Sequence, residues 1–254
     1  MKRTSVLCLI ILSMCLMLPS LSQAQKRPMA IKIGKGDVRV SYVEGTVKAL
    51  LKGSRDWRQL KVNDALQGGD EVRIAGKSRL EILMPDKSVL RFADDTNFKI
   101  VQAPDATARD VKVHVAIGRA WANVSKAIGV KRKFEISCDN AVAGVRGTVY
   151  RMNVNDDQSA LVRVYDGEVA VSGATKPMDM GTQVFGQKPT KIDGPKPVAG
   201  PHKITMEEWT ILLKSMQQVS IRSDGTADKP REFTVQEDRD DWVDWNKQRD
   251  EEGK

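Results

Sequence analysis

From Asp37 to Val171 apolar and polar residues alternate with a period of two between short turns. Val38, Val40 and Tyr42-Val43 run into Glu44-Gly45, and Val47, Ala49 and Leu51 continue beyond the turn. Leu80, Ile82 and Met84 alternate with Arg79 and Glu81, and Val111, Val113, Val115 and Ile117 alternate with Lys112 and His114. Such alternation turns one face of a strand toward a core. Gly68-Gly69-Asp70, Pro85-Asp86 and Asp166-Gly167 punctuate the runs with residues that accept tight-turn backbone angles. The pattern predicts about ten to thirteen short strands and no helix in this region. Regular strands without helical crossovers leave a sandwich, a barrel or a solenoid open. A glycine stands just before a strand in Glu44-Gly45-Thr46-Val47, Arg146-Gly147-Thr148-Val149 and Asp166-Gly167-Glu168-Val169, a weak echo of stacked coils.

The period changes further on. Lys188 to Lys203 holds four prolines and no alternation, which predicts a stiff, extended connector. After it, Thr205 and Glu208 form a capping box, Ile204 can staple onto Trp209, and Trp209, Leu212, Leu213 and Met216 line one helical face. A helix is expected there, its apolar face packed on the β domain or offered to a partner. Phe233 to Val235 reads as a further strand. In the charged end, Trp242 and Trp245 lie three apart, on one side of a helix, and are expected to dock.

The first 24 residues differ in kind. Lys2 and Arg3 precede an apolar run from Val6 to Leu18, and Ser22-Gln23-Ala24 offers small residues at the −3 and −1 positions of a signal-peptidase site. The run is shorter than the roughly 20 residues that span a bilayer. Export with cleavage after Ala24 is expected, to the periplasm or beyond. Cleavage removes Lys2 and Arg3 and no acid, lowering the formal net charge from +8 to +6. That surplus is spread along a chain with only 5% aromatic residues, a pattern that favours a solvated surface or weak attraction to anionic envelope polymers over nucleic acid. Cys8 and Cys15 leave with the leader. Cys138 then has no internal partner, and a buried apolar role in a strand is expected for it.

Catalytic patterns are sparse. His114 and His202 have no companion at metal-ligand spacing, and the Asp238, Asp240, Asp241 and Asp244 run lacks the glycine and spacing of an EF-hand. No nucleophile elbow, Walker loop or dinucleotide fingerprint is present. Asp94-Asp95 sits in a turn-like FADDTN stretch, where turn formation outweighs acid–base work. No catalytic residue, cofactor or metal is expected.

Taken in order, Val43-Glu44-Gly45-Thr46-Val47, Asp56-Trp57-Arg58-Gln59-Leu60, Gly69-Asp70-Glu71-Val72-Arg73, Ser78-Arg79-Leu80-Glu81-Ile82 and Asp86-Lys87-Ser88-Val89-Leu90 resemble the FecR domain. Gly118-Arg119-Ala120-Trp121, Phe134-Glu135-Ile136, Ala143-Gly144-Val145-Arg146-Gly147-Thr148 and Val164-Tyr165-Asp166-Gly167-Glu168-Val169 continue the likeness, which covers about residues 36 to 173. The family motif usually enters with Thr-Pro, where this chain has Cys138-Asp139. The known FecR regulators also carry a cytoplasmic anti-sigma segment and a transmembrane helix before the domain, whereas here the domain follows a leader directly. The resemblance implies a mainly β, solenoid-like or roll-like domain that works by protein contact in the bacterial envelope; the helical period after the connector adds a small C-terminal α-helical extension to this expectation.

The domain layout expected is a leader over 1–24, the β domain over 36–173, strand remnants and connector over 174–203, and a helix with a tryptophan-containing tail over 204–254. Gly144, Val145, Arg146, Gly147, Thr148, Asp166 and Gly167 are the family motif, expected to be structural. Arg146 is read as pairing with Asp166 or Glu168, so that Arg146→Ala lowers the melting temperature by several degrees; recognition of a carboxylate or phosphate is the alternative. Trp209, Leu213, Trp242 and Trp245 are candidate partner contacts. The expected partner is another envelope protein, with peptidoglycan or an anionic polysaccharide as the alternative ligand and a hydrolase of scattered carboxylates as a third reading.

Overall fold

The computed structural model describes residues 38–104, 110–126, 133–174 and 209–253. The expected leader and the expected proline-rich connector lie outside them. The alternation builds a mainly β molecule of two layered sheets and one C-terminal helix, with fourteen strands among the described residues between Val38 and Gly173.

The front sheet runs through β4 (Ala65–Leu66), β1 (Val38–Glu44), β6 (Arg79–Leu83), β7 (Val89–Phe92), the second half of β9 (Val111–Asn123), β12 (Val149–Val154), β13 (Ala160–Asp166), β16 (Gln217–Ile221) and β17 (Arg231–Glu232). The back sheet runs through β3 (Trp57–Gln59), β2 (Val47–Leu50), β5 (Glu71–Ile74), β8 (Thr96–Gln102), the first half of β9, β10 (Phe134–Ser137), β11 (Ala141–Val145), β14 (Glu168–Gly173) and β15 (Thr210–Lys214). Among the described residues every pairing is antiparallel except that of β9 with β10. Among the described residues neither sheet closes on itself.

Strand β9 belongs to both sheets. Gly118 makes this feasible: its φ is +108°, and a Cβ there would lie 2.6 Å from the Thr96 Cα, so only glycine fits the bend. Between the layers the inward residues form one core, in which Phe92 of β7 and Phe98 of β8 stack across the gap with centroids 3.8 Å apart. The three echoed glycines, Gly45, Gly147 and Gly167, all have positive φ, and each turn carries the chain from one sheet to the other. Cys138 is buried just beyond β10 rather than within a strand, and burial pushes its thiol pKa up.

The helix expected around Trp209 and Met216 is instead a pair of strands. Thr210–Lys214 adds to the open edge of β14, and Met216, with φ +63°, turns the chain into β16, which pairs with β13. Helical spacing of apolar residues lost to the unpaired backbone of two strand edges, which a helix could not have satisfied. The capping residues Thr205 and Glu208 lie outside the described residues. Arg231–Glu232 forms the short β17, and Phe233, expected within a strand, follows it as a buried plug. The helix, α1 (Asp241–Glu252), forms in the charged tail instead. Asp240 caps it by accepting a hydrogen bond from the Val243 amide at 2.8 Å, and Asp241 and Asp244 place negative charge in its first turn. Among the described residues no helix is long and apolar enough to cross a membrane.

Candidate functional site

Strand register places one row of side chains across the outer face of the front sheet. Tyr42 pairs with Glu81, Glu81 with Arg91, Arg91 with Trp121, Trp121 with Arg151, Arg151 with Arg163, and Arg163 with Gln218. In the five central strands the row residue sits between inward apolar neighbours, as in Leu90-Arg91-Phe92 and Tyr150-Arg151-Met152, so the pleat directs it outward. An outward face of arginine and tryptophan would ordinarily be wet. Here Arg91, Trp121, Arg151 and Arg163 are all at most 8% exposed.

The cover is the C-terminal segment. Arg151 and Arg163 converge on Oδ1 of the buried Asp238, whose Oδ2 accepts the Tyr165 hydroxyl at 2.5 Å. Arg163 also donates from Nε to Gln218. Toward the other end, Arg91 donates to Glu81 and to Asp250, each at 2.6 Å, and the Trp121 indole donates to Asp250 at 3.0 Å. Arg249 of α1 reaches back to both Glu81 oxygens at 2.9 and 3.1 Å. Burial alone would push the Glu81 carboxyl up, but hydrogen bonds from Arg249, Arg91 and Ser41 outweigh it and hold the pKa down to about 2. Burial also pushes the Tyr165 phenol pKa up. Apolar contact completes the cover: Trp242 meets Trp121 edge to face at 6.1 Å, and Trp245 packs on Tyr42 at 5.6 Å beneath the guanidinium groups of Arg79 and Arg249. Trp121, Trp242, Val243 and Ala93 form a second, smaller apolar cluster outside the main core.

An open cleft of about 610 Å³ borders this cover, lined among others by Lys77, Arg79, Asp94, Arg119, Asp240 and Trp242. Arg119 bridges its walls, bonding Asp94 at 3.0 Å and Asp240 at 3.4 Å. Asp95 has φ +51°, a turn conformation, and Asp94 is held by arginine. Neither is arranged as an acid–base pair. Among the described residues no group of three His, Cys, Asp or Glu side chains is placed to hold a metal ion.

The family motif lies elsewhere, at the turn joining β11 to β12. Gly144 is inside β11, and Val145 is buried. Gly147 has φ +66°; Thr148 is buried and its hydroxyl donates to the Glu168 carbonyl at 3.0 Å. Gly167 has φ +88°, and a Cβ on it would lie 2.9 Å from the Gly147 carbonyl oxygen. The two glycine turns therefore pack against each other, and Asp166 closes β13 opposite Val149. Arg146 departs from expectation. It is exposed, and no ion pair joins it to Asp166 or Glu168, because the turn points it into solvent while Thr148 makes the link between the turns.

The candidate contact residues are redistributed too. Leu213 and Trp242 are buried, at 0% and 3% exposure, and Trp245 is half-buried between α1 and the sheet. Trp209 donates from its indole to the Gly225 carbonyl at 3.1 Å and rests on Gly173. None stands free to meet a partner in this conformation; Leu212, one residue from the expected Leu213, is the exposed apolar residue of β15. Sequence reasoning passed over Arg91, Arg151, Arg163 and Asp250, met Trp121 only as part of the family likeness, and weighed Asp238 only as a calcium ligand. The available signal was complementary: arginines at outward strand positions and a carboxylate-rich tail.

The FecR protein family model matches residues 70–170, which take in both motif turns and most of the arginine row. No curated protein matches the sequence. Two crystal structures of a candidate anti-sigma factor from Parabacteroides distasonis, at 1.65 and 2.50 Å resolution, each match with a TM-score of 0.44 and 16% identity, covering 65% of this chain and 61% of that one. The chain thus spans about three fifths of the length of those proteins. Residues 70–170, with the paired glycine turns and the strands that carry Arg91, Arg151 and Arg163, are thus the part of the chain that is similar to the FecR family.

Proposed function

We propose that the chain is a non-enzymatic protein of the bacterial envelope, exported by its first 24 residues, whose FecR-like domain acts by protein contact in sensing or signalling. The observation that carries this reading is the similarity to the FecR family at residues 70–170. Two features support it. The back sheet ends at β15, whose Thr210–Lys214 backbone pairs with β14 on one side only among the described residues, and such an edge can accept a strand from another chain. The exposed Leu212 on that edge adds apolar surface. A stacked-coil description of the fold belongs to the same proposal, supported by the three glycine turns that each pass the chain between the sheets.

The test is a photo-crosslinking residue in place of Leu212, with the chain produced in its own envelope. One crosslinked protein species is expected, on a chain whose N-terminus has become Gln25. Crosslinks to glycan alone, together with sedimentation on purified cell wall, would replace this reading with the polysaccharide binder that the +6 mature charge favours. An unprocessed N-terminus would remove export from the proposal.

A further inference from the structure

A cover with a purely structural role is most cheaply made of apolar residues, because burying charges on both sides costs desolvation that their attraction barely repays. The front sheet is covered differently. Asp238 and Asp250 meet Arg91, Arg151 and Arg163, with side chains between 0 and 12% exposed. What an ionic cover provides is solubility when it opens: released arginines and carboxylates regain water, whereas a released apolar face would aggregate.

Three further observations fit a cover that opens. The last ladder pairing before α1 is that of β16 with β17, and beyond the amide of Phe233 no backbone-to-backbone hydrogen bond ties the segment to either sheet among the described residues. Lifting residues 234–253 therefore breaks side-chain contacts and no strand ladder. Buried polar atoms without a hydrogen-bond partner also gather here: Arg151 Nε, Trp242 Nε1 and Asn246 Oδ1 are three of the six among the described residues. Such atoms are costly while the cover is shut. Finally, the cleft beside Trp242 and Arg119 leaves one margin of the cover open to an incoming segment.

We propose that the outer face of the front sheet is a receptor for an acidic, tryptophan-bearing helical segment of a partner protein, and that residues 238–252 of the chain occupy it as an intramolecular competitor. The occupant is defined by this chemistry: a carboxylate to bridge Arg151 and Arg163, a second carboxylate to join Arg91 and the Trp121 indole, and two aromatic side chains three residues apart on one helical face. The partner's being an envelope protein rests on the preceding reading, but the face and its competitor do not.

The probe is a fluorescein-labelled peptide of residues 237–254, titrated by anisotropy against the full chain and against full-length Asp238→Asn/Asp250→Asn. The own segment competes at high effective concentration, so the wild-type chain binds the peptide weakly. The double variant, its competitor loosened, is expected to bind at least about tenfold more tightly, and an Arg151→Gln/Arg163→Gln chain not at all. A double variant with wild-type far-UV circular dichroism that binds no better than the wild type overturns the proposal. Should the double variant not fold, hydrogen exchange of the wild-type chain decides. Amides of residues 242–250 exchanging at least about 100-fold faster than those of β9 support local opening, and equal rates overturn it. No partner protein is present in either experiment, so their failure is distinct from a failure of the crosslinking test.

Discussion

The outer faces of the two sheets begin from the same pattern and end differently. The back sheet carries a register row that passes from Glu71 to Lys99, His114 and Ser137, and the front sheet one that passes from Glu81 to Arg91, Trp121, Arg151 and Arg163. Both rows are polar positions of alternating strands. On the back, Lys99 and Glu71 pair at 3.2 Å with side chains 47% and 43% exposed; on the front, Arg91 and Glu81 pair at 2.6 Å with 4% and 9%. Alternation decides which residues point outward, and a distant acidic segment decides whether outward means wet.

The sharpest way to break this contrast is to remove the carboxylate shared by two front-face arginines. Asp238→Ala leaves Arg151 and Arg163 facing each other, a loss of about 3–5 kcal/mol if the cover stays shut. A cover that opens limits that loss, so the expected result is a red shift of tryptophan emission at temperatures where the far-UV strand signal is intact. Acid comes next. Because Glu81 is held below its ordinary value near 4.5, to about 2, its contribution is complete above pH 4.5 and fades as pH falls toward 2. Tryptophan emission followed from pH 6 to pH 2 should report release of α1 in that window, and Glu81→Gln should flatten the window. On the back face, Lys99→Ala is expected to cost only about 0.2–1 kcal/mol by urea denaturation, and 0.5 M salt should erase the difference. A larger cost there would mean that exposure does not separate the two rows. The smallest effect is expected at Arg146, an arginine outside both rows. With no carboxylate partner, Arg146→Ala should shift stability by no more than about 0.5 kcal/mol in a thermal melt, against the several degrees that a strand-pairing role predicted.

Much of the fold is legible in the chain because period-two alternation is a local signal. Val111 to Ile117 reads as a strand and is one, and Gly45, Gly147 and Gly167 read as turns and have the positive φ that only such turns require. Trp242 and Trp245 read as docking residues, and they dock. Thr210–Lys214 misleads because Leu212, Leu213 and Met216 satisfy a helical period while the vacancy beside β14 is a property of the assembled sheet. The arginine row is hidden for the same reason. Arg91 and Asp250 lie 159 residues apart, and nothing local to either marks the other as its partner. The alternation of Arg79 and Glu81 with apolar neighbours is also what a solvated face looks like, so burial of Glu81 follows only once α1 is in place.

Strand β9 gives the molecule its unit of cooperativity. Its 13 residues pair with β8 and β10 before the Gly118 bend and with β7 and β12 after it, so the two sheets hold one strand in common. There is no plane along which they can part without tearing that strand's own ladder. The layers must therefore melt together as one foldon, and the C-terminal cover, fastened without a strand ladder, is left as the element free to come and go while everything beneath it stays folded.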